Sequence, residues 1–143
     1  MTTLRLPYYE LSTGAYNGFL QANKALAEGP VDQQIIELVY LRVSQINGCA
    51  FCLEMHSTAL RKSGAAQQKL DALAGWRISR HFSPAERAAL AWAEDLTNIS
   101  ATHAPESSWQ EMEQHFSARE ISDITFAISL MNAFNRLAIS MRM

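Results

Sequence analysis

The chain has 143 residues, 48% of them hydrophobic, with 12 Lys and Arg against 14 Asp and Glu and a formal net charge of −2. That length and apolar content suit one domain, residues 1–143, with a core of its own, and the lack of any basic run argues against a nucleic-acid partner. The first twenty residues lack a signal-peptide core and no stretch approaches roughly eighteen continuous apolar residues, so a cytoplasmic protein with no membrane association is expected.

Prolines at 7, 30, 84 and 105 separate segments of helical rather than alternating periodicity, and no segment reads as a strand. A first helix is predicted from about Thr13 to Ala27, stopping before Gly29-Pro30. A second, from about Val31 to Ile46, places Ile35, Leu38, Val39, Arg42 and Ile46 along one side. It ends at Asn47-Gly48, residues that readily take left-handed backbone angles. A third begins at or just after that break and ends at Ser63-Gly64, with Arg61 and Lys62 in its last turn, where the helix dipole favours cations.

A short helical piece, about Ala66 to Ala74, stops at Gly75. Ser83, Pro84 and Glu86 then form a start signal of N-cap, first-turn proline and capping-box glutamate, for a helix reaching about Thr97. Ser117 with Glu120 opens the last helix, whose apolar residues fall on nearly every face. Such a helix must be buried on more than one side, here against its own core and a neighbouring subunit.

The two cysteines stand in "INGCAFCLEMHS", at the start of the third helix. In a reducing compartment a close pair of this kind points to redox chemistry or metal binding rather than to a static disulfide. If the helix is regular from Cys49, then Cys49, Cys52 and His56 fall in a stripe of roughly 60°. Cys49 reaches Cys52 and Cys52 reaches His56, whereas Cys49 and His56 are about 10 Å apart along the axis.

Free backbone N–H groups at the helix start favour a thiolate at Cys49, and the imidazole one turn on favours one at Cys52. For a hydroperoxide, whose departing alkoxide needs a proton, Cys52 is the nucleophile because only it has a proton carrier beside it. Cys49 then resolves the sulfenic acid as a disulfide.

Zinc competes for the same residues. Its bonds of about 2.0 to 2.3 Å cannot be met by ligands two turns apart on one regular helix, and no second ligand pair of recognisable spacing occurs. No metal or other cofactor is expected. Glu37 lies within the apolar "IIELVYL". It either faces the third helix and exchanges protons with His56, or pairs with an arginine at the edge of an amphipathic face. Glu54 falls off the cysteine face and reads as solvated, and His81, His103 and His115 have no partner that the sequence identifies.

Glu37, Cys49-x-x-Cys52 and His56, carried on "ELVYLRVSQINGCAFCLEMHS", resemble the alkylhydroperoxidase AhpD-like branch of the carboxymuconolactone decarboxylase family. The resemblance continues through "LRKSG", "KLDALAGW", "FSPAERAALAWAEDLT" and the terminal "MNAFNRLAIS", which is similar to the family's Asn-x-x-Asn-Arg segment.

It implies an all-α bundle of about six to seven helices, assembled as a homotrimer or homohexamer with the C-terminal helix in the interface. It further implies a peroxidase of organic hydroperoxides: Cys52 attacks, Cys49 resolves, His56 and Glu37 relay the proton, and an external thiol reductant closes the cycle. Some family peroxidases carry a second histidine between the cysteines, where this chain has Phe51. Two alternatives are a dithiol-disulfide oxidoreductase acting on another partner and a non-catalytic oligomeric binding protein.

Overall fold

The computed structural model describes residues 3–143; Met1 and Thr2 lie outside the described residues. In chain order the helices are α1 (Tyr8–Leu11), α2 (Thr13–Ala27), α3 (Gln33–Asn47), α4 (Ala50–Lys62) and α5 (Gln67–Asp71). A 3₁₀ stretch (Leu73–Ile78) follows, then α6 (Pro84–Thr97), α7 (Ile99–Thr102), α8 (Glu106–His115) and α9 (Ala118–Met141).

The all-α expectation holds among the described residues, but ten helical segments replace the expected six to seven. Four-residue α1 and α7 are too short to show a period. The ten residues of α8, ESSWQEMEQH, bury only Ser108 and Met112, so its apolar stripe is thin.

Helix α3 is the hub of the molecule, packed by α4, α6 and α9. It starts at Asp32, whose side chain accepts from the Gln34 amide at 2.8 Å, and it ends at Gly48, where φ is 74°. Of the expected stripe through Ile35, Leu38, Val39, Arg42 and Ile46, Leu38 and Val39 are buried and the other three only partly so; the buried residues are Ile36, Leu38, Val39, Tyr40, Leu41, Val43 and Ser44. Three neighbours cover three sides, so burial runs round the helix instead of along one face. Val39 and Val43 enter one core cluster and Leu38 and Leu41 another, each fully buried side chain contributing roughly 1.5 to 3 kcal/mol.

The capping signals at α6 and α9 form as the sequence predicts. Ser83 Oγ accepts from the Glu86 amide at 3.1 Å while Glu86 Oε1 accepts from the Ser83 amide at 2.8 Å. Ser117 and Glu120 repeat the arrangement at 3.2 and 2.9 Å. The expected break at Gly75 is found as a kink: α5 already ends at Asp71, and Gly75, with non-helical angles of φ −106° and ψ 25°, interrupts the 3₁₀ stretch before Trp76, which is buried and donates its indole N–H to Glu94 at 2.9 Å.

The 24 residues of α9 are long and apolar enough to cross a bilayer, a possibility that counting uninterrupted apolar residues passes over. In the fold they lie along α3, with Ile124, Ala127, Ile128 and Met131 in the core. The N-terminal segment is clasped to the end of α9, where the Arg5 amide donates to the Met141 carbonyl at 2.7 Å and its guanidinium to the Ser140 carbonyl at 3.2 Å.

Candidate active site at the α3–α4 junction

Gly48 turns the chain between α3 and α4, and the Ser44 carbonyl accepts from both the Gly48 and Cys49 amides, at 2.9 and 3.1 Å. Cys49 is the N-cap of α4 with extended backbone angles, so the helix is not regular from this residue as the sequence argument supposed. Its sulfur accepts from the Cys52 amide at 3.4 Å. The two cysteines are paired as a disulfide with Cα atoms 5.3 Å apart, within the usual span for such a bond. Both are buried and pack with Ala138 of α9.

His56 is 94% buried, two turns along α4 from the cap. Its Nδ1 lies 2.8 Å from Glu37 Oε2, so α3 and α4 bring together two residues nineteen positions apart. An ionised carboxylate can only accept, so in the neutral imidazole the ring proton sits on Nδ1 and Nε2 is the lone-pair acceptor. That nitrogen is buried and has no hydrogen-bond partner. Glu37 thus faces His56 rather than an arginine.

Tyr40, one turn beyond Glu37, packs its ring 5.1 Å from the imidazole and donates its hydroxyl to Asn23 of α2 at 3.3 Å. Burial raises the phenol's pKa well above its ordinary value, and the Glu37 charge adds to the effect, so Tyr40 remains a donor. Neither Tyr40 nor Asn23 has a signal in the sequence. Tyr40 reads as one more core residue of an apolar run, and Asn23 as a solvated helix position.

Cys52 and His56 line one cavity of about 190 Å³. Cys49 is not among its lining residues, so of the two cysteines Cys52 is the one that borders the open space. Further lining residues come from the two ends of the chain: Tyr8, Tyr16, Leu20 and Asn23 from the N-terminal part, and Met131, Phe134, Ala138 and Met143 from the C-terminal part. Phe51, between the two cysteines in sequence, also lines the cavity and is 43% exposed.

A buried amide brace fixes the turn that carries Cys49. Asn47 donates to Asn132 Oδ1 at 2.9 Å and to Asn135 Oδ1 at 3.0 Å, and Asn135, fully buried, donates to Ser44 Oγ at 3.1 Å. The Asn-x-x-Asn-Arg segment noted in the sequence therefore locks α9 onto the end of α3, directly behind the disulfide. Arg136 is spent locally, donating to Asn132.

The model of the carboxymuconolactone decarboxylase family matches residues 13–95, more than half of the chain, which belongs to that family. The chain is 31% identical over 137 residues to the uncharacterised protein YdfG of Bacillus subtilis, covering 96% of this chain and 93% of YdfG. The crystal structure of a protein of unknown function from Agrobacterium tumefaciens, described as a candidate antioxidant defence protein AhpD, superposes with a TM-score of 0.94 at 34% identity, over 98% of this chain and 96% of that one. The fold is therefore AhpD-like. The debrominase Bmp8 shares it with a TM-score of 0.77 at 22% identity, over 87% of this chain and 67% of Bmp8.

Proposed function

We propose that this protein is a thiol-dependent peroxidase that reduces organic hydroperoxides through a Cys49/Cys52 dithiol-disulfide cycle. The observation that carries the reading is the shared cavity. Cys52 and an imidazole whose far nitrogen is bound to a carboxylate line one space, and the second sulfur lies behind them within bonding reach.

The Cys52 thiolate attacks the terminal oxygen of ROOH and the O–O bond breaks. Cys52 becomes a sulfenic acid, and the departing alkoxide takes a proton through His56 and leaves as ROH. The Cys49 thiolate then attacks the Cys52 sulfur, and the sulfenic hydroxyl leaves as water with a proton from the relay. The resulting disulfide is the state described above. An external thiol reductant returns two electrons and two protons. The two thiols supply all the electrons that the peroxide accepts, so the proposed reaction requires no resident metal or flavin.

Glu37 holds the His56 proton and stabilises the imidazolium that forms when Nε2 takes up a proton. A reducing cytoplasm suits a cycle that must return to the dithiol. A homotrimer or homohexamer belongs to the same proposal. Phe126 on the outward side of α9 is 65% exposed and lines an apolar groove with Trp109 of α8, a surface suited to a second copy of this chain. Light scattering on Phe126→Asp should then report a smaller species than the wild type, and a monomeric wild type would remove this part of the reading.

The chemistry is tested by stopped-flow reaction of the reduced protein with an organic hydroperoxide, followed by intact-mass analysis. Cys52→Ser should be unreactive, and Cys49→Ser should stop at a sulfenic acid on Cys52. Oxidation of Cys49 at the wild-type rate in Cys52→Ser would refute the assignment. Faster turnover with a disulfide reporter than with any peroxide would favour the disulfide-exchange alternative.

A further inference from the structure

We propose that the cavity at Cys52 selects compact, uncharged hydroperoxides carrying a single aromatic ring, over both hydrogen peroxide and long-chain or anionic lipid hydroperoxides. The inference rests on the peroxidase reading and adds to it what the walls of the cavity select.

Size sets the first limit. At about 190 Å³ the cavity is below the roughly 300 to 1,000 Å³ typical of sites for drug-sized ligands. It is slightly larger than the apolar cavity of about 150 Å³ that admits benzene in an engineered protein. One ring with a short branched substituent fills it. Hydrogen peroxide, little bigger than water, leaves most of it empty, and a long acyl chain must remain outside.

Charge sets the second. Among the described lining residues there is no Lys, Arg, Asp or Glu. A carboxylate entering this space loses its hydration, and the one lining group that can carry a positive charge, His56, is already bound to the Glu37 carboxylate, which disfavours a fatty-acid head group.

The character of the wall sets the third. Tyr8 and Tyr16 meet edge to face with ring centroids 6.1 Å apart, and Tyr16 meets Phe134 at 6.4 Å in the same way. Rings held in this arrangement present edges and faces that a further ring can join at its preferred geometry. Met55, Met131 and Met143 complete the lining with flexible thioethers that adapt to an aromatic ligand. Burial and its tyrosine neighbours raise the pKa of Tyr8, keeping its hydroxyl a neutral donor.

Tyr8, Met131, Phe134, Ala138 and Met143 all lie outside residues 13–95, the part matched by the family model. The preference therefore depends on the two ends of the chain, clasped together by Arg5.

The test uses the full chain in two forms. For the reduced protein, single-turnover rate constants are measured with hydrogen peroxide, tert-butyl hydroperoxide, cumene hydroperoxide and a linoleic acid hydroperoxide. Cumene hydroperoxide should react at least ~10-fold faster than the first and the last, and faster than the ringless tert-butyl compound. Leu20→Trp, which fills the cavity from a half-exposed position, should lower the ratio of cumene hydroperoxide to hydrogen peroxide rates by about 10-fold.

For the oxidised protein, methionine methyl NMR is recorded with 2-phenyl-2-propanol, the unreactive alcohol product. The resonances of Met55, Met131 and Met143 should shift, and Leu20→Trp should abolish the shifts. Shifts without reaction toward any peroxide would refute the peroxidase reading and leave the cavity's ligand class standing. Reaction with rates within about threefold across the four peroxides, or no methyl shifts, would overturn the inference and leave the peroxidase reading standing.

Discussion

Glu37 Oε2 lies 2.8 Å from His56 Nδ1, joining the hub helix α3 to the helix that carries the nucleophile. The carboxylate fixes both the orientation of the imidazole and the nitrogen that holds its proton. Glu37→Gln keeps an acceptor for the Nδ1 proton but loses the charge that stabilises an imidazolium. The rate of peroxide reduction should fall about 100-fold, the lower end of the ~10² to 10⁴ that general acid–base catalysis supplies. Thermal unfolding should be little changed, because Glu37 is part-exposed and the glutamine fits the same space. A Glu37→Gln rate within twofold of wild type would remove Glu37 from the relay.

Asn135 acts one layer further out. It joins Asn47 and Ser44, and the Ser44 carbonyl in turn holds the Gly48 and Cys49 amides. Asn135→Ala leaves partners unsatisfied in a fully buried place and opens a small void, costing about 2 to 4 kcal/mol by urea unfolding. The looser turn should also slow the Cys49 attack on the Cys52 sulfenic acid. Trapping with dimedone should then capture several-fold more of that intermediate, with the initial peroxide step less affected. Equal loss of both steps would mean that the brace supports the site as a whole and not the resolving thiol.

Much of this arrangement is legible in the sequence wherever a local rule governs it. The capping boxes at Ser83 and Ser117, the bounds of α2 and the αL glycine after α3 depend on neighbours in the chain, and each is found in the structure. Cys49, Cys52 and His56 were visible through their spacing, although the cap geometry of Cys49 was not. Glu37 needed the α3–α4 turn to find its partner, so composition alone left it between a relay and an arginine pair.

Tertiary placement was hidden. Tyr40 and Asn23 meet over His56 from separate helices. Tyr8 and Met143 reach the cavity from positions 135 residues apart in sequence. The burial of α3 on three sides likewise follows from which helices surround it, and an amphipathic-stripe rule cannot express that.

Gly48 offers a separable test of the turn. Its φ of 74° is costly for residues with a Cβ, yet a Cβ there would meet nothing within 4 Å. The cost of substitution is therefore one of backbone conformation alone. Gly48→Ala should lose roughly 1 to 2 kcal/mol, and Gly48→Asn clearly less, since asparagine tolerates left-handed angles. Urea unfolding of the three proteins gives the order. Alanine as stable as glycine would show that the turn relaxes to another conformation, in which case the disulfide should form at an altered rate.

Glu94 predicts how the fold responds to acid. Its carboxylate accepts from Trp76 Nε1 at 2.9 Å, Arg42 Nε at 3.0 Å and Arg77 Nη2 at 3.0 Å. Burial by itself would raise its pKa, but the hydrogen bonds from Trp76, Arg77 and Arg42, with the charge of Arg42, outweigh it and hold the pKa below the ordinary value. The unfolded chain lacks these donors and binds its proton near the usual value of about 4.3. The stabilisation from Glu94 is thus complete above that pH and is lost as pH falls through the lower folded value. Glu94→Gln should be less stable than wild type at neutral pH by about 1 to 3 kcal/mol, because three donors lose a charged acceptor. The gap should narrow steadily below about pH 4 as the wild-type carboxylate takes up its proton. Unfolding measured for both proteins from neutral pH into the acid range checks this. A gap that stays constant through the acid range would show that Glu94 stabilises the fold by shape and not by its charge.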